Sequence, residues 1–169
     1  DFGWLHQQSK DSFTIISAGR FVPLKGFDLT INAFAIMMKS ISVEEKKKCQ
    51  LILVGSGPEE KLLRKLCIKF NIEQNVKFIS WIERDNLMQM FKTSSVFLFP
   101  SHEGAGMVVA EALSFGLPVI CLNNAGPGQF IDNSCGFTIP MSSYDKTVIG
   151  LAYCLKTLLL DNSLRNEKR

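Results

Sequence analysis

The chain has 169 residues, 46% hydrophobic and 21% charged, with a formal net charge of +3. That is the balance of an ordinary globular domain rather than a disordered one, long enough for one proper core and too short for two of usual size. No apolar run approaches the ~20 residues of a membrane span, no signal peptide is visible, and the scattered basic residues argue against a nucleic-acid partner.

In chain order, Phe13 to Ala18 is an apolar, β-branched run ending at Gly19, which predicts a buried strand. Leu29, Ala33, Phe34, Met37 and Met38 follow at helical spacing. Lys46-Lys47-Lys48, directly after Glu44-Glu45, reads as a solvated connection rather than a binding patch. Leu51 to Val54 predicts a second strand, closed by Gly55-Ser56-Gly57-Pro58. A helix to about Phe70 should follow, since Pro58 suits a first turn and Glu59-Glu60 its positive end.

Val76 to Ile79 predicts a third strand, and Asp85 to Met90 a short helix turning Leu87, Met90 and Phe91 inward. Val96 to Phe99 and Val119 to Leu122 add two more strands, and Gly136 to Ile139 a short sixth. From about Asp145, Val148, Leu151, Ala152, Leu155, Leu158 and Leu159 define a strongly amphipathic helix. The charged end, Leu164 to Arg169, is expected to trail into solvent or toward an absent partner.

Apolar strands without clean alternation, each followed by a helix, predict a parallel sheet covered on both faces. With right-handed crossovers this is an α/β, doubly wound, Rossmann-like fold of about six strands. Ligands in such sheets bind at the carboxyl ends of the strands, near the switch in strand order. The glycine turns after strands one, two and four all fall at that edge. The five cysteines are well separated, odd in number and form no C-x-x-C, consistent with reduced thiols in a cytoplasmic setting. The chain begins at Asp1 rather than Met, which suggests an excised piece of something longer.

The most informative segment runs from Glu103 to Glu111, through Gly104, Ala105, Gly106, Met107, Val108, Val109 and Ala110. It reads as a glycine loop opening a helix, with a carboxylate at each end. Were it fully helical, the acids would lie ~12 Å and ~80° apart, roughly the span of a sugar diphosphate nucleoside. One acid would take sugar hydroxyls and the other ribose hydroxyls. The unpaired N–H groups at Gly106, Met107 and Val108 would face the diphosphate between them. The bland alternative is a charged loop residue and an ordinary surface glutamate.

Other loops have their own pairs of readings. Gly19-Arg20 to Lys25-Gly26 offers a planar fork and a mobile ammonium to phosphate, or two solvated cations. Gly55-Ser56-Gly57 is a tight turn first and a ligand approach second. Trp81 or Ile82 would line a base pocket, or Trp81 is a large core or edge residue. Ala125 to Gln129 opens a short helix with Phe130 and Ile131 inward, touching a sugar or simply turning the chain. His6 and His102 have no cysteine nearby at metal-ligand spacing, no D-x-D is present, and His102 reads as a surface residue.

Taken together, Gly19-Arg20 with Lys25-Gly26, Gly55-Ser56-Gly57-Pro58, Glu103 through Glu111 and Gly116-Leu117-Pro118-Val119 resemble the nucleotide-sugar-binding domain of the retaining group 1 glycosyltransferases, which have the two-domain GT-B architecture. The resemblance runs from about Phe13 to the final helix. It implies that residues 1–169 are a single donor-binding domain, the C-terminal half of a two-domain enzyme whose acceptor half precedes it. By the same resemblance Arg20 and Lys25 clamp the donor diphosphate and Glu103 holds the sugar. Gly106 to Val108 present main-chain N–H groups to phosphate, Glu111 binds ribose, and Ile82 lies near the base. Gly19, Gly55, Gly57 and Gly104 belong to the donor loops.

The implied reaction transfers a sugar with retention to a glycan or lipid-linked acceptor. It uses no cofactor beyond the nucleotide sugar and no obligatory metal, and the isolated domain would be inactive. The full enzyme would be cytoplasmic, with room for peripheral contact at the inner membrane face. Two departures bear on the sugar: Ala105 stands where the family often has an aromatic residue, and Gln129 replaces a usual glutamate. A nucleotide-sugar epimerase domain and a non-catalytic nucleotide-binding or interaction module remain open as alternatives. Sugar, base, acceptor and oligomeric state are not legible.

Overall fold

The computed structural model describes residues 12–169; His6 lies outside them. Six strands form one sheet: β1 (Phe13–Ala18), β2 (Cys49–Val54), β3 (Val76–Ile79), β4 (Val96–Phe99), β5 (Val119–Asn123) and β6 (Gly136–Pro140). Their spatial order is β3-β2-β1-β4-β5-β6 and every pair is parallel. The expected doubly wound, Rossmann-like sheet is therefore the observed one. β2 starts two residues earlier than its apolar run, because Cys49 and Gln50 pair with Phe13 and Thr14.

The pleat sends alternate side chains to opposite faces, and the strands bury both. Ile15, Leu51, Leu53, Leu98 and Ile120 meet α1 (Phe27–Lys39), α3 (Glu60–Phe70) and α6 (Tyr144–Leu160) on one side. Ile16, Ile52, Val54, Phe97, Phe99 and Cys121 meet α4 (Arg84–Thr93) and α5 (Met107–Ser114) on the other. Met90 and Phe91 are fully buried from α4, as their spacing predicts, while Leu87 is partly buried against the same cluster.

Two elements differ from expectation. The lysine cluster is not a connection but the last turn of a short helix, α2 (Val43–Lys48). The Glu45 N–H donates to Ser42 Oγ at 3.2 Å and the Ser42 N–H to Glu45 Oε2 at 2.7 Å, a reciprocal cap that starts the helix. Lysines at its far end complement the negative pole.

The C-terminal charges do not trail away either. Asp161 caps α7 (Asn162–Glu167) by accepting the Leu164 N–H at 2.8 Å. Behind that helix Lys168 is buried, donating to Asn133 O at 2.5 Å with its ammonium 4.5 Å from the Phe137 ring centroid. Arg165 donates to Leu158 O at 2.7 Å and lies over Phe13. Arg169 reaches Ser94 O at 3.3 Å. Phe13, Ser94, Asn133 and Phe137 lie at or just before the amino ends of β1, β4 and β6, so the tail closes the edge of the sheet opposite its carboxyl rim. Long cationic side chains can do this because their stems cover apolar surface while their heads find carbonyls.

The thiols test this packing. Burial pushes Cys49 and Cys121 up to about 12 and Cys67 and Cys154 up to about 11, and only Cys135 is partly exposed. Reaction requires an accessible thiolate. Titration with an aromatic disulfide reagent at pH 8 should modify Cys135 alone in the native chain and all five thiols after denaturation. Rapid native modification of several thiols would contradict this core.

Candidate active site at the carboxyl rim

Strand order reverses between β1 and β4, and the loops leaving these two strands diverge around a cleft of about 370 Å³. Its lining comes from the end of β1 (Ala18, Gly19), from Lys25, from Leu87 of α4, and from Glu103, Ala105, Gly106, Met107 and Val108 after β4. Sequence reading brought Gly19, Lys25, Glu103, Gly106, Met107 and Val108 to this edge, and the structure gathers these six in one cavity.

The local sequence explains how. After Gly19 the chain swings out, and a 3-10 turn at Pro23–Lys25 folds it back so that Lys25 returns over the rim. Its ammonium lies 5.4 Å from the centroid of the Phe99 ring at the end of β4 and forms an ion pair with Glu103. The buried Ser101 hydroxyl lies 2.8 Å from the same carboxylate oxygen, Glu103 Oε2. The His102 N–H donates to Leu24 O at 2.8 Å, which ties the loop after β4 to the loop after β1. Asn124, beyond β5, braces the same segment: its amide donates to Ser101 O at 2.8 Å and its oxygen accepts the N–H groups of Gly126 and Gly128.

Gly106 opens α5 with φ 66°, a left-handed conformation that glycine adopts without penalty, and an added Cβ would lie 2.7 Å from Pro127 Cγ. No side chain caps this helix, and the Val109 N–H returns to Gly106 O at 2.8 Å. Among the described residues, the N–H groups of Met107 and Val108 have no main-chain acceptor. Uncapped donors with the positive pole of the helix behind them make an anion-receptive wall.

The remaining predicted residues sit elsewhere. The segment from Glu103 to Gly106 is loop and only Met107 onward is helical, so the 12 Å, 80° relation of an unbroken helix does not describe the two acids. Glu111 is outside the lining and pairs with Arg84 instead. Arg20, next to Gly19, is exposed, and among the described residues nothing engages its side chain. Gly55 and Gly57 serve the turn. A Cβ on them would stand 1.9 Å from Gly19 O and 2.4 Å from Phe21 O, so they let the loop after β2 press against the loop that carries Arg20. Gly104 faces open space, and Ile82 packs partly buried against the α4–α5 side of the sheet.

Trp81 is neither core nor packed edge, being 75% exposed. Phe130 also turns outward from a 3-10 turn at Pro127–Phe130, while Ile131 alone packs inward. His102 is exposed, in line with its surface reading. Among the described residues no cluster of three or more His, Cys, Asp or Glu side chains could hold a metal ion.

Sequence reasoning passed over Arg84, Ser101 and Asn124. Arg84 donates to Glu111 Oε1 from Nη2 at 2.5 Å and from Nε at 3.2 Å. No local pattern announces a pair 27 residues apart. Asn124, by contrast, precedes Gly126-Pro127-Gly128, and an asparagine before such a turn commonly binds the main chain ahead of it.

A cleft at the switch point of a Rossmann-like sheet, with a cation, a carboxylate and a helix start on its walls, lies where open α/β sheets bind their ligands. Comparison with known proteins makes this specific: residues 5–169 match the model of glycosyl transferases group 1, and the chain belongs to that family. It is 32% identical over 141 residues to an uncharacterized glycosyltransferase of Haemophilus influenzae, covering 82% of this chain and 38% of that protein. It is 30% identical over 159 residues to the lipopolysaccharide core biosynthesis glycosyltransferase LpsE of Rhizobium meliloti, covering 93% and 42%. Among solved structures it resembles the pneumococcal O-GlcNAc transferase GtfA in complex with UDP and GlcNAc, with TM-score 0.82 and 28% identity over 95% of this chain and 31% of that one. The chain thus spans about two fifths of the length of these curated relatives. The fold is the Rossmann-like one of GT-B glycosyltransferases.

Gly106→Ala tests the loop-to-helix junction. It should destabilise the domain by about 1–2 kcal/mol, from the left-handed backbone and the contact with Pro127. Urea denaturation would measure it, and an unchanged midpoint would show that the junction tolerates a Cβ.

Proposed function

We propose that this domain is the donor-binding half of a retaining glycosyltransferase, taking a nucleotide diphosphate sugar and passing its sugar to a glycan or lipid-linked acceptor. The observation that carries the proposal is the switch-point cleft, where the Lys25–Glu103 ion pair faces the uncapped start of α5. In this reading the diphosphate lies against the N–H groups of Gly106, Met107 and Val108, with Lys25 beside it and Arg20 reaching in from the neighbouring loop. Glu103 takes the sugar hydroxyls, Glu111 the ribose, and Ile82 flanks the base. Membership of the family and the likeness to a UDP-bound relative support this assignment.

As the bond to the sugar breaks, negative charge grows on the departing diphosphate. Cations and amides already fixed around it stabilise that charge more than they stabilise the bound donor, which is the requirement for lowering the barrier. These groups answer the charge without a metal in any step. Acceptor binding falls to a preceding domain, and the present domain alone binds donor weakly and transfers little. Work at the inner face of a membrane, by peripheral contact, fits a lipid-linked acceptor.

Calorimetric titration with UDP-, GDP- and ADP-sugars up to millimolar concentration should detect binding of at least one. Lys25→Ala should then weaken that nucleotide by about tenfold or more, because a charge-assisted contact is lost and Glu103 is left facing the phosphates. Failure of all three donors to bind would overturn the assignment.

A further inference from the structure

The pairing of Glu111 has a geometry that a solvated surface contact does not require. Arg84 Nη2 and Nε both point at one oxygen, Oε1, at 2.5 and 3.2 Å, and no group among the described residues binds Oε2. A guanidinium facing a carboxylate freely would more commonly engage both oxygens with two parallel bonds. Position matters as much. Arg84 and Leu87 are i, i+3 on α4, and Val108 and Glu111 are i, i+3 on α5, so each pair shares a helix face. Leu87 and Val108 line the cleft. The Arg84–Glu111 bridge therefore spans from α4 to α5 along the wall that these two apolar residues begin. Glu111 keeps 30% of its side chain accessible there.

We infer that Arg84 is a positioning residue for the donor's ribose: by holding Glu111 through one oxygen, it aims the other at a vicinal diol. This rests on the donor-binding reading above and adds the element that orients its ribose contact. A ribose diol presents two O–H donors. A carboxylate with one oxygen already committed offers a fixed acceptor instead of a rotating one, so less rotamer freedom is lost on binding. The bridge has little to do with stability, since Arg84 is 74% exposed and exposed pairs contribute little to folding. Its role shows in selectivity.

The test compares the affinities of UDP and 2′-deoxy-UDP, and of GDP and 2′-deoxy-GDP, for the wild type, Arg84→Ala and Arg84→Lys, each checked by thermal melting for an unchanged fold. The wild type should prefer the ribonucleotide of the pair it binds by about tenfold, the value of one hydrogen bond to a charged group. In Arg84→Ala the preference should fall below about threefold, mainly through weaker binding of the ribonucleotide. Arg84→Lys, with no fork, should lie between. Full wild-type preference in Arg84→Ala, or tighter ribonucleotide binding by it, would overturn the inference and mark Arg84 as a bystander or a competitor. Binding without any ribose preference in the wild type would remove the ribose role of Glu111 itself and the inference with it. Absence of nucleotide binding altogether would reach back to the donor assignment.

Discussion

The reversal of winding between β1 and β4 is the constraint from which the site follows. Helices α1 and α3 cross on one face and α4 and α5 on the other, so the loops that leave the two central strands part in opposite directions. A crevice at that point is a consequence of chain path, not of any one side chain. What the local sequence adds is its chemistry. Pro23 and the turn to Lys25 bring a cation over Phe99, and Gly106 lets a helix begin with its donors unpaired. Both features depend on two loops, 78 residues apart in sequence, being knitted by the His102–Leu24 bond and the Lys25–Glu103 pair.

Much of this was legible beforehand, for a physical reason. Strands buried on both faces read as continuous apolar runs, and the glycine turns after β1 and β4 marked their carboxyl ends; those signals are local and strong. The elements that escaped were of two kinds. The cap of α2, Ser42 with Glu45, was written in the sequence as S-x-x-E but lay beneath a conspicuous lysine run. The docking of α7 was not legible. Lys168 and Arg169 are buried or held by the carbonyls of Asn133 and Ser94, groups every residue carries, so no residue type announces the partner. The partner of Glu111 was hidden in a similar way. The glycine loop and the helix after it were legible, but the neighbour of Glu111 comes from another helix, 27 residues away in sequence.

The electrostatics of the rim narrow what it can accept. Lys25 is matched by Glu103 and Glu111 by Arg84, so neither acid stands as bare charge and neither cation is fully available. The uncompensated positive elements are the start of α5 and Arg20, which among the described residues has no partner. An anionic ligand is thus met by dipolar donors and one mobile guanidinium, while the Lys25–Glu103 pair presents a cation and a carboxylate side by side. A simple anion would be attracted by the first and by Lys25, and repelled by Glu103. A ligand carrying both an anion and adjacent hydroxyls satisfies the two at once, since hydroxyls donate to the carboxylate that would repel phosphate. Sugar diphosphates have that composition, and inorganic phosphate does not.

The same arrangement bears on how the site reads the two ends of such a ligand. At the Glu103 end, the carboxylate is held by Lys25 and lies beside Ser101, whose main-chain carbonyl is in turn fixed by Asn124, so it is rigid from several sides. At the Glu111 end, one exposed guanidinium does the holding. Rigid acceptors discriminate between arrangements of hydroxyls more sharply than loosely held ones, because a mismatched donor leaves a buried acceptor unsatisfied. In the proposed donor reading, recognition of the sugar would therefore be built into the braced loop after β4, within the fold itself. Recognition of the ribose would, in the same reading, rest on a single side chain whose loss would leave the fold intact. Selectivity for the transferred group should accordingly be hard to alter by surface substitution, whereas selectivity at the nucleoside end is open to change at Arg84.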